Sequence, residues 1–240
     1  MSGEIVVPRL AASLIILRDG VQGIEALLVE RTGKASFAAG KFVFPGGTVD
    51  QESDAALAPD IEDGALRAAA IRETYEESGL LIVEPEPRDV APGQDFAALC
   101  RASGFAPATH RLVRFAHWIT PITQPKRFDT HFYLAAAPHA QVAQADQREV
   151  MSAVWRQPRA VVAAAEAEEL DLMFATYMNL RWLSRFDAVA EALAAAAQRR
   201  IVTVVPRPEA GPDGRIFHIP ADADYAEAAV PEKRFRRAPP

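Results

Sequence analysis

The 240-residue sequence contains one cysteine, Cys100, which excludes an intrachain disulfide and fits a reducing compartment. Nothing in the sequence indicates the activating environment that a reactive thiol needs, so Cys100 reads as a small buried hydrophobe. No apolar run reaches the length of a membrane span, and the opening MSGEIVVPRL lacks the charged-then-apolar order of a secretory signal. The closing RAPP is neither a retention nor a peroxisomal address. The expectation is a soluble, cytoplasmic protein with no membrane contact. Basic residues are not in excess: 26 Lys and Arg stand against 32 Asp and Glu, for a net charge of -6, which argues against sequence-independent nucleic-acid binding. No internal repeat or low-complexity linker is present. The five histidines, His110, His117, His131, His139 and His218, show no close metal-ligand spacing. His131 reads as a packed or solvated strand residue and not as a base.

Half of the residues are apolar, enough for one sizeable core or a core with an appendage. Apolar runs from Arg9 to Gly20 and from Ile24 to Arg31, around Asp19-Gly20 and Gly23, predict two strands. A short strand over Lys41–Phe44 is ended by Pro45-Gly46-Gly47, and residues 48–60 read as a loop. A helix is predicted from Asp60, whose side chain could cap it, to Ser78, with Leu66, Ala69, Ala70 and Tyr75 on its buried face and Gly79 just past its end. Strands are expected in LLIVEP, RFAHWITP, RFDTHFYLAAA and VMSAVWRQP, with a short helix in GQDFAALCRASG. A helix begins at Pro158, and two more lie between Glu169 and Arg200. Trp118 and the aromatics of MFATYM read as core. IVTVVP and RIFHIP suggest a late hairpin, and EKRFRRAPP a solvated tail, with phosphate contact as an alternative for its basic residues. Residues 1–200 are expected to form the main domain, with 201–240 an extension of it.

The stretch RETYEESG, Arg72–Gly79, crowds three glutamates. On a helix, residues three and four apart share a face, so Glu73 lies beside Glu76 and Glu77 and the carboxylates are expected to converge. Each like-charge pair costs a few tenths of a kcal/mol, and a carboxylate in the last turn opposes the macrodipole by about 0.3–1 kcal/mol. Arg72 offsets part of this, and the segment contains no lysine. The missing positive charge suggests a hard divalent ion held through oxygen, with magnesium taking carboxylates, water and a substrate phosphate. An exposed acidic helix end without chemistry is the alternative from spacing alone. FPGGTVD places Gly46 and Gly47 after a strand, where a backbone can bend sharply or approach a ligand.

RETYEESGL, Arg72–Leu80, resembles the second half of a Nudix box, with Thr74 where an aliphatic residue is usual. The box's first glutamate is absent. Counting eight back from Arg72 reaches Gly64, while Gly47 would call for it at position 53, so the loop is longer by about eleven residues. Glu62 and Asp63 lie next to the vacant position, just before it. LLVERTGKASFAAGKFVFPGGTVDQESD is similar to the segment before the box in coenzyme A diphosphatases, keeping Arg31, Gly40 and Asp50 but carrying Ser36 where a second arginine is usual. ALRAAAIRETYEESGLLI, HWITP and RFDTHFYL resemble the Nudix motif 19 family of acyl-CoA diphosphatases, which shares both the long insertion and the missing glutamate.

The resemblance implies an α/β/α sandwich around a mixed β-sheet, with a C-terminal helical and hairpin extension. It implies hydrolysis of a pyrophosphate bond in CoA or an acyl-CoA, with Mg2+ or Mn2+, and a homodimer as an assembly common in the family. ADP-ribose or a dinucleotide is the rival substrate, and a non-catalytic nucleotide-binding module the rival class. Glu73, Glu76 and Glu77 are assigned as metal ligands together with the Gly47 carbonyl, and Arg72 as the anchor of the glutamates. Gly46 and Gly47 border the substrate. Arg31 and Arg127 are candidate phosphate contacts, with an ion pair to Asp129 the alternative for Arg127. Glu149 is either a further site carboxylate or a surface residue leading into a strand.

Overall fold

The computed structural model describes residues 6–33, 38–87 and 95–236. Two long strands, β1 (Arg9–Gly20) and β2 (Gly23–Arg31), form the expected hairpin, closed by a two-residue turn and Gly23 at φ 105°. Then come β3 (Phe42–Val43), β4 (Gly46–Thr48), α1 (Ser53–Leu57), α2 (Gly64–Ser78) and β5 (Val83–Glu84). α3 (Phe96–Ser103), β6 (Ala106–Pro107), β7 (Val113–Ile119), β8 (Phe128–Ala136) and β9 (Val150–Arg156) follow. The chain continues through α4 (Pro158–Glu166), α5 (Phe174–Leu183), α6 (Val189–Ala197) and β10 (Thr203–Val204). β11 (Arg207–Gly211), β12 (Gly214–His218) and β13 (Ala229–Pro231) form a separate three-stranded sheet.

The main sheet has eight strands and is mixed, in the order β10-β7-β8-β1-β2-β3, with β4 on β1 and β9 on β2. β1 runs parallel to β8 along one edge. Its other edge pairs first with β4 and then with β2. The run Ala11–Leu17 is buried throughout, as expected for a strand covered on both faces. Ile15 and Leu17 point into a cluster built with α4, α5 and α6, while Leu14 and Ile16 join α2 and α3. The fold is therefore an α/β/α sandwich. Cys100 is buried in the second cluster, as expected. No helix among the described residues is long and apolar enough to cross a membrane.

Several local expectations change. Asp60 does not cap α2. Asp60 and Asp63 both take left-handed backbone conformations (φ 62° and 57°), so the chain is still turning until Gly64. Residues 48–60 contain the end of β4 and all of α1 rather than a plain loop. Only Val83–Glu84 of LLIVEP is strand. IVTVVP supplies only β10, which joins the main sheet parallel to β7. The late hairpin is instead β11 with β12, turning at Pro212-Asp213, and β11 can hold Pro208 because it is an edge strand. The stretch expected to be a solvated tail is anchored up to Arg236. The Phe235 ring is buried against Phe174, Tyr177 and Phe217, and its carbonyl accepts from the Leu172 N–H at 2.8 Å. Burying such a side chain is worth about 1.5–3 kcal/mol, which outweighs the exposure preference of the flanking charges. Residues 237–240 and Ser36 lie outside the described residues.

Candidate active site

A cavity of about 840 Å³ opens on the α4–α6 face of the sheet. Its floor alternates along β1 and β8, where Ala11, Ser13, Thr130 and Phe132 point in, and Phe174, Phe217 and Phe235 form an aromatic wall. Arg31, Arg72, Glu73, Glu76 and Glu149 supply charge at the end next to Gly46 and Gly47, and Arg9, Lys41, Lys126, Arg215, Arg236 and Glu232 also line the cavity.

The glutamates sit on the last two turns of α2, which ends at Gly79 in the expected left-handed conformation (φ 72°), its N–H bonded to the Tyr75 carbonyl. Thr74 occupies an apolar position in that helix at no cost in unpaired groups: its hydroxyl donates to the Ala70 carbonyl at 2.8 Å. Arg72 organises the acidic side chains. Its Nε and Nη2 donate to the two oxygens of Asp54 at 2.8 and 3.0 Å. Nη1 donates to Glu73 at 2.8 Å and Glu76 at 3.0 Å, and Nη2 also to the Thr48 carbonyl at 3.1 Å. A guanidinium carries five N–H donors, and all five are committed. Arg72 thus holds the glutamates in place and has nothing left for a ligand.

Glu77 is buried apart from its neighbours. One oxygen accepts from the Gly46 N–H at 3.1 Å and the other from Arg31 Nη1 at 3.2 Å. Burial pushes its carboxyl up to about 8, against the lowering effects of the Gly46 amide and Arg31. Burial also raises Glu73 and Glu76, with Arg72 opposing in both. Counting only Asp54, Glu73, Glu76, Glu77 and Glu149 against Arg31 and Arg72, the site has a formal excess of three negative charges.

The expected convergence of the glutamates is therefore divided between two arginines. Among the described residues, the only three ligand-type side chains with donor atoms all within 4.8 Å of one another are His117, Asp129 and His131. Gly46 and Gly47 do approach closely. A Cβ at Gly46 (φ 154°) would stand 2.5 Å from the Ala12 carbonyl oxygen, and one at Gly47 would stand 2.5 Å from the Glu73 carboxylate. The opening that Gly47 leaves beside Glu73, with hard oxygen donors around it, suits a magnesium-type cation. Glu73, Glu76 and Glu77 are the side chains that could hold it.

Other sequence candidates fall elsewhere. Arg127 is buried and donates to the Thr120 and Val6 carbonyls at 3.0 and 2.7 Å. It does not line the cavity, and Asp129 contacts histidines instead of pairing with it. Glu62 is exposed, and Asp63 faces Arg114 at 3.6 Å. At 1.5 Å rise per residue, Asp63 lies about 15 Å along α2 from Glu73, too far to share a ligand. Gly64 holds the vacant position for a steric reason: a Cβ there would stand 2.3 Å from the Ala58 carbonyl oxygen. Glu149 is exposed, lines the cavity and lies 3.6 Å from Arg31. Trp118 is buried as expected, though its ring also borders the cavity. Two participants escaped the sequence reading. Asp54 is fully buried as the main partner of Arg72, and no local pattern marks it. Phe235 was hidden by the basic residues around it.

The NUDT19 Nudix domain family matches residues 48–183. A frog (Xenopus laevis) protein named acyl-coenzyme A diphosphatase NUDT19 is 23% identical over 88% of this chain and 73% of its own length. The putative nudix hydrolase 7 of Caenorhabditis elegans is 31% identical over 66% of this chain, which spans 55% of that relative. Among solved structures, a NUDIX hydrolase from Alicyclobacillus acidocaldarius superposes with a TM-score of 0.71 at 30% identity, covering 80% of this chain and 97% of that one.

Proposed function

Because the chain belongs to the Nudix hydrolases, through their NUDT19 Nudix domain family, and is thus a pyrophosphate hydrolase, we propose that its substrate is CoA or an acyl-CoA. The products would be 3',5'-ADP and a phosphopantetheine or its acyl ester. The observation that carries this reading is the cavity itself, which joins the glutamate cluster to an aromatic wall suited to an apolar or pantetheine arm, with basic residues also in its lining. Names of the relatives agree, since the frog protein is called an acyl-coenzyme A diphosphatase.

Divalent ions are general to the family, and Mg2+ or Mn2+ suits the donors here, with Glu73, Glu76, Glu77 and the Gly47 carbonyl as ligands. When bound, such ions neutralise the diphosphate and acidify a water. The chain's own residues position the reactants. Arg72 fixes Glu73 and Glu76 in rotamers facing the cavity. Arg31 holds Glu77 and also lines the cavity, which makes it the candidate for a phosphate oxygen. Glu149, beside Arg31 and lining the cavity, can deprotonate or orient water.

Turnover of CoA, acyl-CoAs, ADP-ribose and NADH with and without magnesium tests the assignment. Magnesium-dependent release of 3',5'-ADP from CoA compounds is expected, with Arg31→Ala raising KM. Preferential cleavage of ADP-ribose or NADH would move the reading to those substrates. Tight nucleotide binding without product would leave a non-catalytic module.

A further inference from the structure

The antiparallel pairing of β7 and β8 puts His117 opposite His131, two residues fourteen apart in sequence, and the imidazoles stack with centroids 4.1 Å apart. Asp129 lies two residues before His131 on the same strand face. We propose that His117 Nε2, His131 Nε2 and Asp129 Oδ1 form a binding site for one zinc-class transition-metal ion, with a fourth position open to water.

The spacing is close to what such an ion needs. Zinc–ligand distances of about 2.0–2.1 Å place tetrahedral donor atoms about 3.3 Å apart. Here Asp129 Oδ1 is 2.5 Å from His117 Nε2 and 3.7 Å from His131 Nε2, so the contacts bracket that value. His117 has the outer support that metal-bound imidazoles use: its Nδ1 lies 2.8 Å from Thr203 Oγ1 on β10. In the tautomer that donates from Nδ1, the Nε2 lone pair is directed at the carboxylate.

His131 supplies an independent observation. Its side chain is 11% exposed, yet Nδ1 has no hydrogen-bond partner and Nε2 stands beyond hydrogen-bond reach of the carboxylate. Nε2 therefore has no hydrogen bond to give up, and an ion would be its first partner among the described residues. A metal ligand must be the neutral imidazole. The charges facing His131 from neighbouring elements, Asp63 and Arg114, pair with each other. Two imidazoles and one carboxylate favour zinc, cobalt or nickel over magnesium.

The site is separate from the cavity. Phe128, Thr130 and Phe132 point into the cavity, so the alternating residues Asp129 and His131 face the other side of the sheet, with Tyr133, where α2 packs. A bound ion would tie β7 to β8 and, through Thr203, to β10.

The test uses the full chain, stripped with chelator and titrated with cobalt(II), then zinc(II). One equivalent of cobalt should give the visible absorption of a low-coordinate ion, zinc should displace it, and zinc should raise Tm. Both signals should persist in Glu76→Gln and vanish in His131→Gln and Asp129→Asn, with circular dichroism reporting the fold of each. Wild-type protein showing neither signal would overturn the proposal, whatever the variants do. So would a cobalt spectrum that survives His131→Gln or is lost in Glu76→Gln. Nucleotide turnover plays no part in these readouts, so the outcome is independent of the substrate assignment.

Discussion

The two ends of α2 solve opposite problems. At its C-terminal end, Glu73, Glu76 and Glu77 crowd charge where the macrodipole already disfavours it, and Arg72 and Arg31 divide the load between them. At its N-terminal end, where a carboxylate would be welcome, Gly64 stands against the Ala58 carbonyl and leaves no room for any side chain. Function has placed acids at the end where helix physics resists them. Packing has removed one from the end where helix physics would accept it.

The largest test of that contrast is Asp54→Ala. It leaves the Arg72 guanidinium without its bidentate partner in a buried setting, and breaking such a pair costs about 3–5 kcal/mol, measured by urea denaturation. A loss under 1 kcal/mol would mean that Glu73 and Glu76 alone can hold Arg72. Next comes Glu76→Gln or Glu77→Gln, each expected to lower magnesium-dependent kcat about 10²–10³-fold, the scale seen when one transition-state electrostatic contact is removed. Near-normal turnover in both would break the comparison, because the acidic end would then be ornamental.

At the other end, Gly64→Glu restores the residue type that the box pattern calls for. Overpacking against Ala58 should cost about 1–3 kcal/mol and bring no gain in kcat; a faster enzyme would show that the vacancy was a real deficit. A further effect is on pH. The folded chain keeps a proton on Glu77 up to about 8, whereas an unperturbed glutamate releases it near 4.5. Between those values the folded state binds more protons, so the stability of metal-free protein should fall as pH rises through that window. In Glu77→Gln the Tm slope in chelator should flatten.

Much of this was legible because it is local. Strand alternation, the glutamate spacing of Arg72–Gly79 and the helix-stopping Gly79 are patterns within a few residues, and the structure follows them. What was not legible depends on distant partners. Asp54 reaches Arg72 only because α1 folds back onto α2, and the reading of residues 48–60 as loop hid that helix. His117 and His131 look unrelated until antiparallel register faces them. Arg127 looked like a phosphate ligand because its type suits phosphate, but loop carbonyls claim its donors. Phe235 was judged by its charged neighbours, while its own ring decided where the chain went.

The close approach of Gly46 to β1 has a consequence for folding fidelity. β1 is oily on both sides, so sliding it by one residue would swap one greasy set for another with little energetic complaint, and hydrophobicity alone cannot choose the alignment. The bare backbone of Gly46 seated on Ala12 and Ser13, with the Ser13 hydroxyl donating to the Pro45 carbonyl at 2.8 Å, acts as the notch that admits a single alignment. The same glycine's amide grips Glu77, so a misaligned strand would also be one whose acidic centre fails to assemble.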